Sequence, residues 1–343
     1  MKNALVCLVL TVAFATSLSG CAKRAQNTAA PGALNLGMVT DVGGLGDKSF
    51  NDSANSGLQQ AQSQLGAHVQ VLQSKSAADY QPNLSALTNQ HYDEIYAIGF
   101  LMNKDLEQMA KSNPKQRYAI IDAVVDQPNV TSVTFKEQDG SFMAGALSAL
   151  MTKTHHVAFL GGVDIPLIRK FEAGYIAGAH QIDPAVKVDV KYVGSFEDVA
   201  SGKELANLLY GSGVDIIFAA AGKAGLGAMA AVKDRKDDYV IGVDSNQDGI
   251  VPGKVLTSMV KRVDVAVMRV AQAAADQKPL SGHITLGLAD QGIALTDFQY
   301  TKTLIGDAKI ARLNAIRAAI TSGKITPPAT REELDKFKFT RRY

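Results

Sequence analysis

Short apolar runs alternate with longer amphipathic stretches over most of the chain. The runs Leu34 to Val39, Val69 to Leu72, Glu94 to Gly99, Tyr118 to Ile121 and Val130 to Phe135 end in or lead into turn-forming or charged residues. Runs this short, rich in β-branched and aromatic residues, predict strands. Between them, Phe50, Ala54, Leu58, Ala61 and Leu65 recur at helical spacing, and further helices are expected near Asn83 to Gln90 and Lys104 to Lys111. Alternation of this kind predicts βαβ units around a parallel sheet.

The order then starts over. A helix is expected over Asp139 to Met151, a strand over Val157 to Leu160, a helix over Ile165 to Gln181 and a strand over Val186 to Val193. Glu204 to Leu209, Asp215 to Ala219, Gly225 to Lys233 and Tyr239 to Val243 continue as helix, strand, helix, strand. Val255 to Val260 is a late strand, Val263 to Asp276 a late helix and Ala308 to Ser322 a tail helix, with a surface segment around Pro327 and Pro328 expected to follow. No period is visible in the residues, but the repeated order of elements predicts two similar α/β lobes.

The stretch Met38 to Asn51 stands out. An apolar strand breaks into Asp41-Val42-Gly43-Gly44-Leu45-Gly46-Asp47-Lys48-Ser49, and a helix opens with Phe50 and Asn51. This strand, turn and helix N-terminus is where open α/β sheets hold ligands. A ring and an amide at the first helical turn are both expected to face the crevice. Phosphate-loop and dinucleotide readings fail on spacing: Asp47 precedes Lys48-Ser49 where a Walker loop needs glycine, and Gly43, Gly44 and Gly46 do not form G-x-G-x-x-G.

Other predicted strands also finish in residues able to touch a small molecule. Asp122, Ser195-Phe196, Gly222, Asp244 and Lys261 each stand at or just after a strand end. In a parallel sheet these ends share one edge, so two lobes could present them to each other across a crevice.

Size and composition suit two domains: 343 residues, 46% hydrophobic and 20% charged. The N-terminus differs, with Lys2 followed by an apolar stretch from Ala4 to Leu18 and then Ser19-Gly20-Cys21. This reads as a secretory signal over residues 1–20. Its end looks like the lipobox of bacterial lipoproteins, which makes Cys21 the expected lipidated first residue and 21–33 a flexible tether. Cys7 and Cys21 are the only cysteines, so no disulfide is expected within the mature domains. A formal net charge of +2 implies no nucleic-acid partner.

Catalytic and metal motifs are weak. Neither G-x-S-x-G nor H-E-x-x-H occurs, and His155-His156 read as exposed loop histidines. Asp244 to Gly249 copies the first half of a calcium loop, but the twelfth position is Val255 and a strand follows. Gly222-Lys223-Ala224-Gly225-Leu226-Gly227 reads as a turn with close helix packing. No metal and no cofactor are expected.

Four blocks carry a resemblance: Asp41 to Gly44 with Asp47 to Asn51; Thr134 to Gly145; Gly161 to Ile168 with Phe171 to Gly174; and Gly242 to Ser245. They resemble the basic membrane protein family, and within it the purine nucleoside receptor lipoproteins of ABC transporters. The resemblance implies a type I periplasmic-binding-protein fold, with two Rossmann-like lobes, parallel sheets and a three-strand hinge. On that fold the lobes would be 34–136 with 261–282, and 137–260 with 283–343.

Carried over by motif position, the ligand-binding residues would be Asp41, Phe50, Asn51, Asp122, Phe196, Gly222, Asp244 and Lys261. Phe50 and Phe196 would sandwich a purine, a role open only to Phe or Tyr because the chain has no Trp. Asp122 and Asn51 would read the base edge, while Asp244 and Lys261 would grip the ribose. Lys223 departs from the glycine-rich pattern of many relatives and could narrow the pocket or add charge near the sugar.

The resemblance implies an inosine, guanosine or adenosine carrier that serves an ABC permease. It would be a palmitate-bearing, membrane-anchored monomer on Cys21, facing the periplasm or cell exterior. A receptor for a sugar or other small polar ligand on the same fold, or a secreted nucleoside hydrolase, are the alternatives.

Overall fold

The computed structural model describes residues 33–339. The expected signal peptide, Cys21 and nearly all of the tether lie outside them. The first half runs β1 (Asn35–Thr40), α1 (Phe50–Leu65), β2 (His68–Gln73), α2 (Tyr80–Asn89), β3 (Glu94–Ile98), α3 (Asn103–Ser112), β4 (Tyr118–Ile121) and β5 (Val130–Phe135). The second half repeats it with α4 (Glu137–Met151), β6 (His156–Gly161), α5 (Pro166–Ile182), β7 (Lys187–Tyr192), α6 (Val199–Gly211), β8 (Ile216–Ala220), α7 (Gly225–Val232), β9 (Tyr239–Asp244) and β10 (Val255–Lys261). Then come α8 (Val263–Ala275), β11 (Gly282–Leu286), β12 (Ile293–Leu295), α9 (Lys302–Ile305), α10 (Asp307–Thr321) and α11 (Arg331–Asp335).

Among the described residues these strands form two six-stranded sheets. The first has the order β2-β1-β3-β4-β5-β11 and is parallel throughout. The second has the order β7-β6-β8-β9-β10-β12, with only β12 antiparallel. Setting the closing edge strand aside, the two orders are the same, which is the two-lobed periplasmic-binding-protein architecture. The chain passes between the sheets three times: from β5 into α4, from β10 into α8, and from β11 to β12.

Each sheet is buried on both faces, so its central strands are continuous apolar runs with no alternation, as parallel sheets require. α2 and α3 cover one face of the first sheet around Tyr80, Leu84 and Met109, and α6 and α7 cover one face of the second around Leu209 and Met229. A third cluster, with residues from α1, α4, α5 and α8, is continuous across both lobes.

Three expectations need correction. β11 (Gly282–Leu286) pairs with β5, so residues 283–286 belong to the first sheet; Lys261 pairs with Ile293 and so ends a strand of the second. The sequence hid β11 and β12 because one is largely exposed and polar and the other spans three residues. Ile325, Pro327 and Pro328 are buried, and just beyond them Arg331 makes a two-pronged ion pair with Glu172, 2.7 Å on each arm, so the tail is pinned down. His156 is buried, 2.9 Å from Asp189; of the two, His155 alone is exposed. No helix among the described residues is long and apolar enough to cross a membrane.

Helices α4 and α5 touch backbone to backbone. A Cβ added at Gly145 would lie 1.9 Å from the carbonyl oxygen of Tyr175, and one at Gly178 would lie 1.9 Å from that of Phe142. Neither contact can be relieved by rotating a side chain. Gly145→Ala and Gly178→Ala should each destabilise the protein by about 2 kcal/mol or more in urea denaturation. Gly211→Ala, where nothing among the described residues lies within 4 Å, should change stability far less.

Candidate functional site

The edge where the strands end is shaped by backbone conformations that few side chains accept. Asp122 after β4, Asp244 at the end of β9 and Gly222 after β8 have φ of +70°, +63° and +57°. Glycine takes this region without strain and aspartate is among the side chains that tolerate it, which explains these residue types at these strand ends. Strain of this kind is stored where a side chain must be aimed.

At the first strand end, Asp41 Oδ1 accepts from the Gly43 amide (2.9 Å) and from Asn51 Nδ2 (2.8 Å). Asp47 caps α1: its two oxygens accept from the amides of Ser49, Asn51 and Asp52 at 2.7–3.0 Å, and its charge favours the positive helix end. It also takes Asn51 Nδ2 at 3.1 Å.

One cleft gathers the strand ends. Asp41, Phe50, Asp122, Phe196, Gly222, Asp244 and Lys261 line about 510 Å³ of space free of protein atoms, part of it open to solvent. Phe196 rests against Gly162, where a Cβ would lie 2.3 Å from its ring, and its carbonyl accepts from the Ala224 amide at 3.0 Å. The rings of Phe50 and Phe196 therefore reach the cleft from different lobes.

Asn51 is the exception among the eight sequence-predicted residues. It does not line the cleft, because its amide nitrogen is taken by Asp41 and Asp47 behind the wall. Its amide nitrogen positions Asp41, while its buried Oδ1 makes no hydrogen bond among the described residues. Lys223 does not line the cleft either.

Lys261 is the electrostatic centre. It is 2% exposed, and its Nζ lies 2.6 Å from Asp122, 3.8 Å from Asp244 and 4.0 Å from Glu137. The ammonium also stands over the ring of Phe50 at 4.7 Å, with Phe135 and Phe171 at 5.5 Å, as cation–π contacts require. Burial works against its charge, but Asp122, Asp244 and Glu137 outweigh that and lift its pKa above the ordinary lysine range. Burial pushes Glu137 up to about 7 against the pull of Lys261 and Lys170, and raises Asp244 and Asp41 to about 6.

Residues the sequence did not assign complete the wall. Phe171 on α5 and Phe100 line the cleft, with Ile165, Leu167 and Ile168. Ser49 donates to Asp244 Oδ2 at 2.7 Å, Ser245 Oγ to the Ser49 carbonyl at 2.8 Å, and Gln247 Nε2 to the Lys48 carbonyl at 2.9 Å. These three bonds tie the first lobe's loop to the second lobe. Glu137 and Phe171 fall inside the quoted motif blocks, so a signal existed; nothing local marks Ser49 as a partner of a residue 195 positions away.

The half calcium loop does not close on an ion: Asp244 turns to Ser49, and Asp248 accepts from Ser258 Oγ at 2.7 Å. Among the described residues no group of acids, histidines or cysteines could hold a metal.

Raised carboxyl pKa values carry a stability consequence. Asp41, Asp139 and Asp244 near 6, Glu137 near 7 and Glu94 near 8 hold protons in the folded state that the unfolded chain has already lost above about pH 4–5. Folding stability should therefore fall as pH rises from about 5 to 8, and a melting series without ligand should show Tm higher at pH 6 than at pH 8. Glu94→Gln should flatten the upper part of that dependence.

Comparison with known proteins agrees with this geometry. A family model described as ABC transporter substrate-binding protein PnrA-like matches residues 34–330. A Listeria monocytogenes protein named CD4+ T-cell-stimulating antigen is 38% identical over 86% of this chain and 88% of its own length. The ABC transporter nucleoside-binding protein BmpA of Lactococcus lactis subsp. cremoris is 37% identical over 86% and 89%. Among solved structures, an ABC transporter solute-binding protein from Aeropyrum pernix K1 superposes with a TM-score of 0.82 at 27% identity, covering 88% of this chain and 96% of that one. Two sheets of one strand order, a cleft between their strand ends and a family match over nearly all the described residues lead to one conclusion: the chain belongs to the Bmp family of PnrA-like ABC transporter substrate-binding proteins.

Proposed function

We propose that the cleft binds a purine nucleoside and that the protein, held to the cell membrane by a lipid on Cys21, delivers it as a monomer to an ABC permease. The observation that carries this reading is the joint placement of Phe50 and Phe196, from opposite lobes, with Asp122, Asp244 and Lys261 in one cleft. A planar base suits the two rings. Asp122 Oδ1 is buried without a hydrogen-bond partner among the described residues, an acceptor for a donor such as a base N–H. Asp244 accepts ribose hydroxyls, and Lys261 balances its charge while donating to the same oxygens. The name of the Lactococcus relative supports the same class of cargo.

Capture works by differential binding to a closed arrangement. Moving a two-state equilibrium from 1:99 to 99:1 takes about 5.5 kcal/mol, within reach of two ring stacks and charge-assisted hydrogen bonds. Closure around the nucleoside would present both lobes to the permease in one fixed relation.

A thermal-shift panel of nucleosides, free bases and sugars tests the class. Inosine, guanosine or adenosine should raise Tm, and free ribose or a hexose should not; the reverse ranking would make this a sugar receptor. By calorimetry, Phe196→Ala should weaken inosine binding by about tenfold to a hundredfold. Asp244→Ala should cost about a hundredfold or more. Chromatography of inosine left with the protein should show no hypoxanthine; steady release of free base would favour the hydrolase reading.

A further inference from the structure

The cleft does not stop at its charged residues. Phe100, Leu101, Asp122 and Leu167 also line a second groove along the seam between the lobes, where Val124 from the first and Pro166 from the second join them. It holds about 1320 Å³ of space free of protein atoms, part of it open to solvent. Phe100, Leu101 and Val124 are 36%, 40% and 50% exposed. Apolar side chains left exposed together beside a ligand cavity call for an occupant.

Asp122 stands where the two spaces meet. Its Oδ2 accepts from Lys261, while its buried Oδ1 has no hydrogen-bond partner among the described residues. A secondary exocyclic amine on a purine has one N–H to give that oxygen and one substituent to place elsewhere. Because Asp122 lines both spaces, a substituent leaving the base at this point has next to it a groove whose surface is mostly apolar, with Lys104, Asp105 and Lys170 also in its lining.

We propose that the groove is a subsite for an apolar group on the base edge. The ligand class then extends to purine nucleosides whose exocyclic amine bears an alkyl or aryl substituent and keeps one N–H. This inference rests on the nucleoside reading given above.

Calorimetry on the wild-type protein with adenosine, N6-benzyladenosine and N6,N6-dimethyladenosine tests it. N6-benzyladenosine should bind within about tenfold of adenosine or more tightly, and the dimethyl compound, with no N–H to give, should bind about a hundredfold more weakly. Val124 lines the groove and not the cleft, so Val124→Asp should weaken N6-benzyladenosine by about fivefold while leaving adenosine within about twofold. Adenosine binding together with rejection of the benzyl compound by more than about a hundredfold would overturn the subsite alone. Dimethyladenosine binding as tightly as adenosine would overturn the role of Asp122. A Val124→Asp protein that bound both compounds unchanged, as a face reserved for a macromolecular partner would allow, would also overturn the subsite. Absence of any adenosine, inosine or guanosine binding would remove the nucleoside reading and the subsite together.

Discussion

A single buried ammonium sets the terms for the rest of the site. Lys261 has lost nearly all contact with water, and an ion taken out of water costs several kcal/mol unless partners replace its hydration. Here Asp122 accepts at 2.6 Å, Asp244 and Glu137 stand within 4.0 Å, and three phenylalanine rings surround what remains. Glu137 is shared with Lys170 at 3.2 Å, which leaves Asp122 and Asp244 as the carboxyl groups of the cleft wall beside this ammonium. Their oxygens suit hydrogen-bond donors.

The cluster also sits where the chain passes between lobes. Lys261 closes β10 just before the crossing into α8, and Glu137 opens α4 just after the crossing from β5. Asp122 comes from the first sheet and Asp244 from the second. Charges drawn from both lobes and two crossings meet on one ammonium, so any change in the angle between the sheets changes their distances. Ser49, Ser245 and Gln247 add neutral hydrogen bonds across the same seam. In this arrangement the cleft and the crossings between the lobes are electrostatically one unit, and a molecule that engaged Asp122 or Asp244 would act on both.

Much of this could be read from the chain before its fold was known, because strand ends in a parallel sheet are marked by abrupt changes from apolar to polar residues. Asp41, Asp122, Gly222, Asp244 and Lys261 announced themselves in that way. Asn51 did not keep its expected place: its helical position could be foreseen, but Asp41 and Asp47 competing for its amide could not. Edge strands β11 and β12 carried too little apolar periodicity to register. Ser49 with Asp244 and Arg331 with Glu172 pair across 195 and 159 positions, distances at which local pattern has no hold. The sequence therefore exposes the groups that can do chemistry, while tertiary packing decides which of them face the cleft and which hold the others in place.

A crystal structure of the complex with inosine is the most direct measurement of the central claim. The base should lie between Phe50 and Phe196 with a ring N–H on Asp122 Oδ1 and the ribose hydroxyls on Asp244 and Lys261. Density for inosine elsewhere on the protein, or in the cleft with the base stacked on neither ring, would contradict it.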